Sequence, residues 1–279
     1  MQSTIAEMIA ERSDRMTAGE RRAAQTLVAN YPLIGLKTVA DFSQQAGVSS
    51  PTILRFVARL GFQNYADFQN RLQEELAAQL QSPSSRVERG GVRSARDLPP
   101  TIDATVENIR ETFRHVSARQ LAEAVGPMAS MRNKLFLLGG RFTDPIARYM
   151  AAHLTLIRPG VIHLAGQEST WRDRLVDMGK RDCLLVFDIR RYQEGLLTFT
   201  EKANKRGVQI ILVTDGWLSP IARFARHVIA TRTEVPSAWD SCTALFVVAE
   251  TLIGETTRRL DADGARRMSE IERLRSGET

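Results

Sequence analysis

Five short apolar runs in the second half of the sequence limit its possible folds more than any other feature. They cover residues 134–138, 161–164, 183–187, 209–214 and 227–230. Each run has the length and the β-branched or aromatic content of a strand, and segments with helical periodicity separate them. Strands that alternate with helices need crossover connections, which produce a parallel sheet with helices on both faces. Residues 101–279 are therefore predicted to form an α/β doubly wound three-layer sandwich.

A polar stretch precedes this region and predicts a domain boundary. Residues 81–100 are rich in Ser, Arg, Gly and Pro. Such a composition buries too little apolar area to offset the entropy cost of ordering it, which favours a flexible linker. We therefore predict an amino-terminal domain at 1–80, a linker at 81–100 and a carboxy-terminal domain at 101–279.

The amino-terminal part is predicted to be all-α. Thr17 and Glu20 have the spacing of a capping box at the start of a helix. A second helical segment follows at 38–46 and ends at Gly47, a residue that tolerates the positive φ of a tight turn. Ser49 or Ser50 can then cap a third helix over about 51–60.

A helix, a turn built on glycine and a second helix with hydroxyls and arginines indicate a helix-turn-helix. The second helix of that motif enters the major groove, where its first residues contact bases and basic groups contact phosphates. The DNA-binding candidates are Ser49, Ser50, Thr52, Arg55 and Arg59. In the alternative interpretation the serines only cap the helix and Arg55 is only solvated.

The stretch GVSSPTILRFVARLGF at 47–62 resembles the signature of the RpiR (MurR/RpiR) family of bacterial transcription regulators, G-V-S-x-x-T-I-x-R-F-x-x-x-L-G-F. The resemblance implies that Ser49, Thr52 and Arg55 lie at the DNA surface. Residues 102–260 resemble the sugar isomerase (SIS) domain, the usual partner of that helix-turn-helix. By this resemblance, residues 139–143 correspond to the first glycine-rich loop of the SIS domain.

The ligand loops depart from the SIS pattern. The loop after the third strand usually reads S-x-S-G-x-T and holds a sugar phosphate, whereas this chain has DIRRYQ at 188–193. Arg141 and Thr143 likewise replace a glycine and a serine, although backbone amides after Thr143 could still attract an anion. The predicted effector-binding residues are Gly139, Gly140, Arg141, Thr143, Asp188, Arg190, Arg191 and Glu234.

The arginines of this set suit a carboxylate or a phosphate. We therefore expect an anionic effector, which the sequence leaves open among a phosphosugar, a sugar acid and another organic acid. In the alternative interpretation Arg190 and Arg191 pair with Asp188 or Glu194, or lie at a subunit interface.

The competing class is a SIS-type sugar-phosphate isomerase or a carbohydrate-derivative binding protein. An isomerase needs a positioned base, and the available candidates are Glu168, Glu234, Asp188 and His163. Since they have no recognisable catalytic spacing, the chain is predicted not to be an enzyme and to have no catalytic residue. Cys183 and Cys242 are far apart in sequence and the four histidines lack ligand spacing, so neither a metal nor a cofactor is expected.

The expected partners are a double-stranded DNA operator and a second copy of the chain. The net charge is +6 and arises from Arg more than Lys, which permits nucleic-acid binding. A single helix-turn-helix buries too little surface for tight specific binding, so a homodimer or homotetramer is expected. No apolar run is long enough for a membrane span, and a cytoplasmic protein is predicted.

Overall fold

The computed structural model describes residues 3–79 and 100–277. The predicted linker at 81–100 lies outside the described residues except for Pro100. Two compact units are distinguished by their internal contacts. The first comprises Met1–Ser117, Asp215–Arg223 and Ala230–Ala244, and the second comprises Ala118–Thr214, Phe224–Ile229 and Leu245–Thr279. Within the described ranges, no helix combines the length and apolarity needed to cross a membrane.

The first unit contains the predicted bundle of short helices. The helices of this unit are α1 (Ile5–Arg12), α2 (Ala18–Ala29), α3 (Val39–Ala46), α4 (Ser50–Arg59), α5 (Tyr65–Gln79) and also α6 (Pro100–His115), which lies in the range expected to form the carboxy-terminal domain. The predicted capping box starts α2, where Thr17 N donates to Glu20 Oε2 at 2.8 Å and Glu20 N donates to Thr17 Oγ1 at 3.3 Å. These two bonds satisfy amides that a helix start leaves without an intrahelical partner.

The core of the helical bundle is apolar and aromatic. Leu27, Phe42, Ile53, Phe56 and Phe68 are all fully buried there. Phe42 of α3 meets Phe56 of α4 edge to face, with ring centroids 6.3 Å apart. Burial of side chains spaced three and four residues apart explains why these short helices form and how α3 and α4 are oriented.

The second unit is built on a five-stranded sheet with the order β2-β1-β3-β4-β5. The strands are β1 (Leu135–Gly139), β2 (Val161–His163), β3 (Cys183–Asp188), β4 (Gln209–Asp215) and β5 (His227–Thr231). The five runs predicted from the sequence are these strands, with ends that differ by one residue in most cases. The pairings β1 with β2, β1 with β3 and β3 with β4 are parallel.

Helices connect and cover these strands. They are α7 (Ala118–Met128), α8 (Asp144–Ile157), α9 (Glu168–Asp173), α10 (Glu194–Lys205) and α11 (Thr243–Ser276). Every residue of β1 and β3 is buried, as expected for central strands covered on both faces. The α/β doubly wound prediction is therefore confirmed. The order of strands reverses between β1 and β3, so their carboxyl ends form the crevice where such sheets bind ligands.

Candidate DNA-binding and ligand-binding sites

The helix-turn-helix consists of α3, a turn at Gly47 and α4. Gly47 ends α3 with φ 60 and ψ 40, a left-handed conformation that a side chain would disfavour. Ser49 precedes α4 in the extended conformation and Pro51 lies in its first turn. The inward face of α4 carries Ile53, Phe56 and Val57, all buried. The remaining face is open at its amino-terminal end, as groove recognition requires.

Three of the predicted DNA-binding residues form a connected row on that open face. The hydroxyl oxygens of Ser49 and Thr52 are 2.9 Å apart, and Arg55 Nη2 donates to Thr52 Oγ1 at 3.1 Å. Ser49 and Arg55 are exposed, while Thr52 is half-buried. The row therefore presents hydroxyl and guanidinium groups together at the start of α4.

The other two candidates have bonds inside the module. The Ser50 hydroxyl lies 3.2 Å from the Ser43 hydroxyl of α3, and Arg59 Nε donates to Glu20 Oε1 of α2 at 2.9 Å. Burial raises the pKa of Glu20, but the hydrogen bonds from Thr17 and Arg59 outweigh it and lower that pKa overall. Ser50 and Arg59 thus join α4 to its neighbours, and a direct DNA contact for either stays a prediction.

At the sheet edge, the loop after β1 is a tight turn into α8. A Cβ on Gly139 would lie 2.4 Å from the Asp144 amide nitrogen, so only glycine fits. Gly140 O accepts from the amides of Thr143 and Asp144 at 3.1 and 2.8 Å. The Asp144 amide, one of those after Thr143 that were expected to attract an anion, is therefore already bonded within the loop.

Thr143 connects this loop to β3. Its hydroxyl donates to Phe187 O at 2.6 Å and accepts from Gly140 N at 2.8 Å, and the residue is buried. The loops after β1 and β3 are consequently adjacent, as the resemblance implied. The threonine hydroxyl is used to hold them together, and its contact with an effector stays a prediction.

The loop after β3 carries two arginines in different environments. Asp188 and Arg190 are buried, whereas Arg191 is exposed. Arg191 has φ 69, a left-handed backbone that costs a non-glycine residue about 1–2 kcal/mol. Strain of this kind often accompanies function. On the β1 side, Arg141 is exposed and its guanidinium carbon lies 5.4 Å from the Phe142 ring centroid.

Two side chains that were not predicted to bind an effector lie beside these loops. His163, at the end of β2, has Nε2 2.8 Å from Oδ1 of Asp144 in the first turn of α8. Gln193 lies over the first loop, since a Cβ on Gly140 would be 3.1 Å from its Oε1. His163 was named only as a possible base, because the pairing of Leu137 with His163 in neighbouring strands cannot be read from spacing alone.

Glu234, the last predicted effector residue, belongs to the first unit. Its backbone oxygen accepts from Asn108 Nδ2 of α6 at 2.8 Å. It lines a cavity of about 300 Å³ whose walls also include Glu7, Trp217 and Arg232. A role for Glu234 in the crevice after β1 and β3 stays a prediction. In the part of the chain that the structure describes, no cluster of His, Cys, Asp and Glu is arranged to hold a metal ion.

The two modules match known domain families. Residues 3–79 match the helix-turn-helix domain of the rpiR family, and residues 129–254 match the SIS domain. The fold and the two matches define a helix-turn-helix protein with a SIS domain. The chain belongs to the RpiR family of helix-turn-helix transcriptional regulators, as the resemblance at 47–62 predicted.

Individual relatives are distant. The chain is 26% identical over 232 residues to the Bifunctional protein glk of Burkholderia thailandensis, an alignment that covers 82% of this chain and 35% of that protein. The chain therefore spans about a third of the length of that relative. It is 22% identical to an uncharacterized HTH-type transcriptional regulator of Thermotoga maritima, with 87% of each covered.

A solved structure has a similar fold over nearly the whole chain. The Vibrio vulnificus NanR protein, in complex with ManNAc-6P, has a TM-score of 0.54 and 16% identity, and the match covers 96% of this chain and 97% of NanR. At 16% identity, the match is evidence for the fold of the chain alone.

Proposed function

We propose that this protein is a transcriptional regulator that binds double-stranded operator DNA through α4 and senses an anionic, sugar-derived metabolite with its SIS domain. The observation that carries the proposal is the row of Ser49, Thr52 and Arg55 on the open face of a helix-turn-helix. A protein that acts on bacterial chromosomal DNA works in the cytoplasm, which is where we place it.

The chemistry of the row fits a DNA groove. An arginine at this position can donate two hydrogen bonds to a guanine edge, and hydroxyls serve either bases or phosphates. Thr52 accepts from Arg55 in the free protein, which limits the rotamers of the guanidinium. A restricted guanidinium loses less entropy when it binds, so the row is prepared for a specific contact.

The test is titration of fluorescent DNA from upstream of the protein's own gene, measured by anisotropy at several salt concentrations. Arg55→Ala should weaken specific binding by about 1–3 kcal/mol, which is roughly 5- to 150-fold in affinity. Arg258→Ala is the matched control, because Arg258 is an exposed arginine of α11 in the second unit. Equal affinities for Arg55→Ala and the wild type, with unchanged circular dichroism, would contradict the proposed DNA surface.

For the metabolite, we propose the crevice between the loops after β1 and β3. Thr143 holds the two loops together, and each loop carries an exposed arginine, Arg141 after β1 and Arg191 after β3. Guanidinium groups bind phosphate and carboxylate oxygens through charge-assisted hydrogen bonds. The ManNAc-6P bound by NanR supports a phosphosugar as the first class to examine.

A thermal-shift screen tests this assignment with phosphosugars, sugar acids, other organic acids and the corresponding neutral sugars. An anionic compound should raise the melting temperature of the wild type, while its neutral analogue should not. Arg141→Ala should reduce that shift. Arg148→Ala, which removes an exposed arginine from the middle of α8, should leave the shift unchanged. Equal shifts in both variants would remove Arg141 from the site.

A sugar-phosphate isomerase is the second candidate function, and one observation favours it. The His163 and Asp144 pair at 2.8 Å stands at the carboxyl edge of the sheet, where a base oriented by a carboxylate could move a proton. We propose a sensing role instead, because the loop at 188–193 lacks the hydroxyl-rich sequence of a phosphate site. Interconversion of a ketose phosphate and an aldose phosphate by the purified protein, abolished by His163→Asn, would reverse this choice.

A further inference from the structure

Helix α6 is amphipathic, but the residues that it buries are the polar ones. Its buried residues are Asn108, Thr112 and His115, all polar. Asn108 Nδ2 donates to Glu234 O at 2.8 Å, and Thr112 Oγ1 accepts from Arg232 N at 2.9 Å. The side of the helix that packs against its own unit is therefore the polar side.

The apolar residues of α6 lie on a different face. Ile102, Val106, Ile109 and Phe113 follow one another at alternating steps of four and three residues, which places them in a single stripe. Ile102 is 46% exposed and Val106 40% exposed, and the other two are half-buried. A stripe with this repeat is the pattern of a helix that pairs with another helix, and its exposure marks an interaction surface.

The charges beside the stripe indicate which helix pairs with it. The residue after each stripe residue is, in order along α6, Asp103, Glu107, Arg110 and Arg114. One flank of the stripe is thus acidic in its first half and basic in its second half. If two such helices pack antiparallel about a two-fold axis, the acidic half of each one meets the basic half of the other. A parallel arrangement would bring this flank against the opposite flank of the partner helix, which carries no charge to pair with it.

We propose that the α6 stripe is a self-complementary interface on which a second copy of this chain packs with its own α6 antiparallel. Val106 then packs beside Ile109 of the partner subunit, and Ile102 packs beside Phe113 of the partner subunit. Glu107 faces Arg110 of the partner subunit across the flank of the pairing. The pairing covers the apolar face of both helices and leaves the polar face in its intramolecular contacts.

Sedimentation equilibrium of the full chain tests the interface. Val106→Glu places two carboxylates in the centre of the pairing, and we expect the association of two copies to weaken by about tenfold or more. Val176→Glu is the matched control, since Val176 is a valine of the second unit with 76% exposure, and it should associate like the wild type. The measurement uses neither DNA nor a metabolite, so its outcome is independent of the proposed function.

Charge reversal at surface residues supplies a second measurement, because these substitutions leave the apolar stripe intact. Arg110→Glu alone should weaken association, and adding Glu107→Arg to it should restore association, because the double variant keeps opposite charges across the two-fold axis. Raised salt should weaken the wild type and the double variant alike. Unchanged association of Val106→Glu, or equal association of Arg110→Glu and the double variant, would overturn the interface.

Discussion

Glu7 and Arg232 form a two-point ion pair in the interior of the first unit, although 225 positions separate them in sequence. Arg232 Nε donates to Glu7 Oε1 at 2.5 Å and Nη2 donates to Glu7 Oε2 at 2.6 Å. Both side chains are buried. Glu7 Oε2 also accepts from Thr4 N at 2.7 Å, so one carboxylate starts α1 and fixes the segment after β5 to it.

Removing the arginine should destabilise the first unit strongly. Arg232→Ala leaves a buried carboxylate without its cation, which typically costs about 3–5 kcal/mol. Arg232→Lys keeps the charge without the two-point geometry, and its loss should be smaller. Urea unfolding followed by circular dichroism and by the fluorescence of the buried Trp217 measures both changes. The exposed pair of Arg258 and Glu255 is the control, where Arg258→Ala should cost less than about 1 kcal/mol.

The stability of the same unit should depend on the protonation of Glu75. Burial raises the pKa of this carboxyl to about 7 from 4.5, even though Tyr31 OH and Ile5 N both donate to it. The folded protein therefore binds this proton more tightly than the unfolded chain. The resulting stabilisation is fully present below pH 4.5 and is lost as the pH rises to about 7, by an amount of the order of 3 kcal/mol.

Glu75→Gln distinguishes the contribution of this carboxyl to the pH dependence of stability from the contributions of the other titrating groups. The amide oxygen can still accept from Tyr31 or Ile5 but does not ionise. Unfolding free energies measured between pH 5 and pH 8 should fall more steeply for the wild type than for the variant. Parallel pH profiles would mean that Glu75 does not titrate in this window.

Much of the fold follows from local patterns in the sequence. The capping box of Thr17 and Glu20 and the left-handed Gly47 depend on residues a few positions apart, which spacing alone can identify. The central strands β1 and β3 were predictable because their runs are almost entirely apolar, as burial on both faces of a sheet requires. Strand ends differ by a residue, since a ladder extends as far as its neighbour allows.

Contacts distant in sequence were not predictable in the same way. Nothing near Glu7 identifies Arg232 as its partner, because two-point pairing depends on where the chain returns after β5. Arg158 is fully buried and donates to Asn133 O and to Met128 O, and backbone acceptors leave no sequence signal. The polar inner face of α6 contradicts the ordinary assumption that apolar residues of a helix face its own core.

The candidate sites were predictable in part. The motif at 47–62 identified Ser49, Thr52 and Arg55, which the structure joins in one row. Loop positions identified Thr143, but only the structure places its hydroxyl between Gly140 and Phe187. A hydroxyl assigned to a ligand by analogy can thus be used for structure instead, because loop geometry determines which partner it reaches.

Arg191 offers a substitution that separates ligand binding from stability. Its φ of 69 is unfavourable for arginine and acceptable for glycine, so Arg191→Gly removes the guanidinium and the backbone strain together. We expect the melting temperature of the free protein to stay equal or rise, with a gain of up to about 1 kcal/mol after the larger entropy cost of ordering glycine.

If Arg191 contacts the anionic metabolite, the ligand should raise the melting temperature of Arg191→Gly by less than it raises that of the wild type. The melting temperature of the free variant should not fall. This combination cannot arise from partial unfolding, which would lower both quantities. Arg191→Ala provides the comparison, because it removes the guanidinium and keeps the strain. A full ligand shift in both variants would assign the strain at Arg191 to the turn itself and exclude its side chain from the effector site.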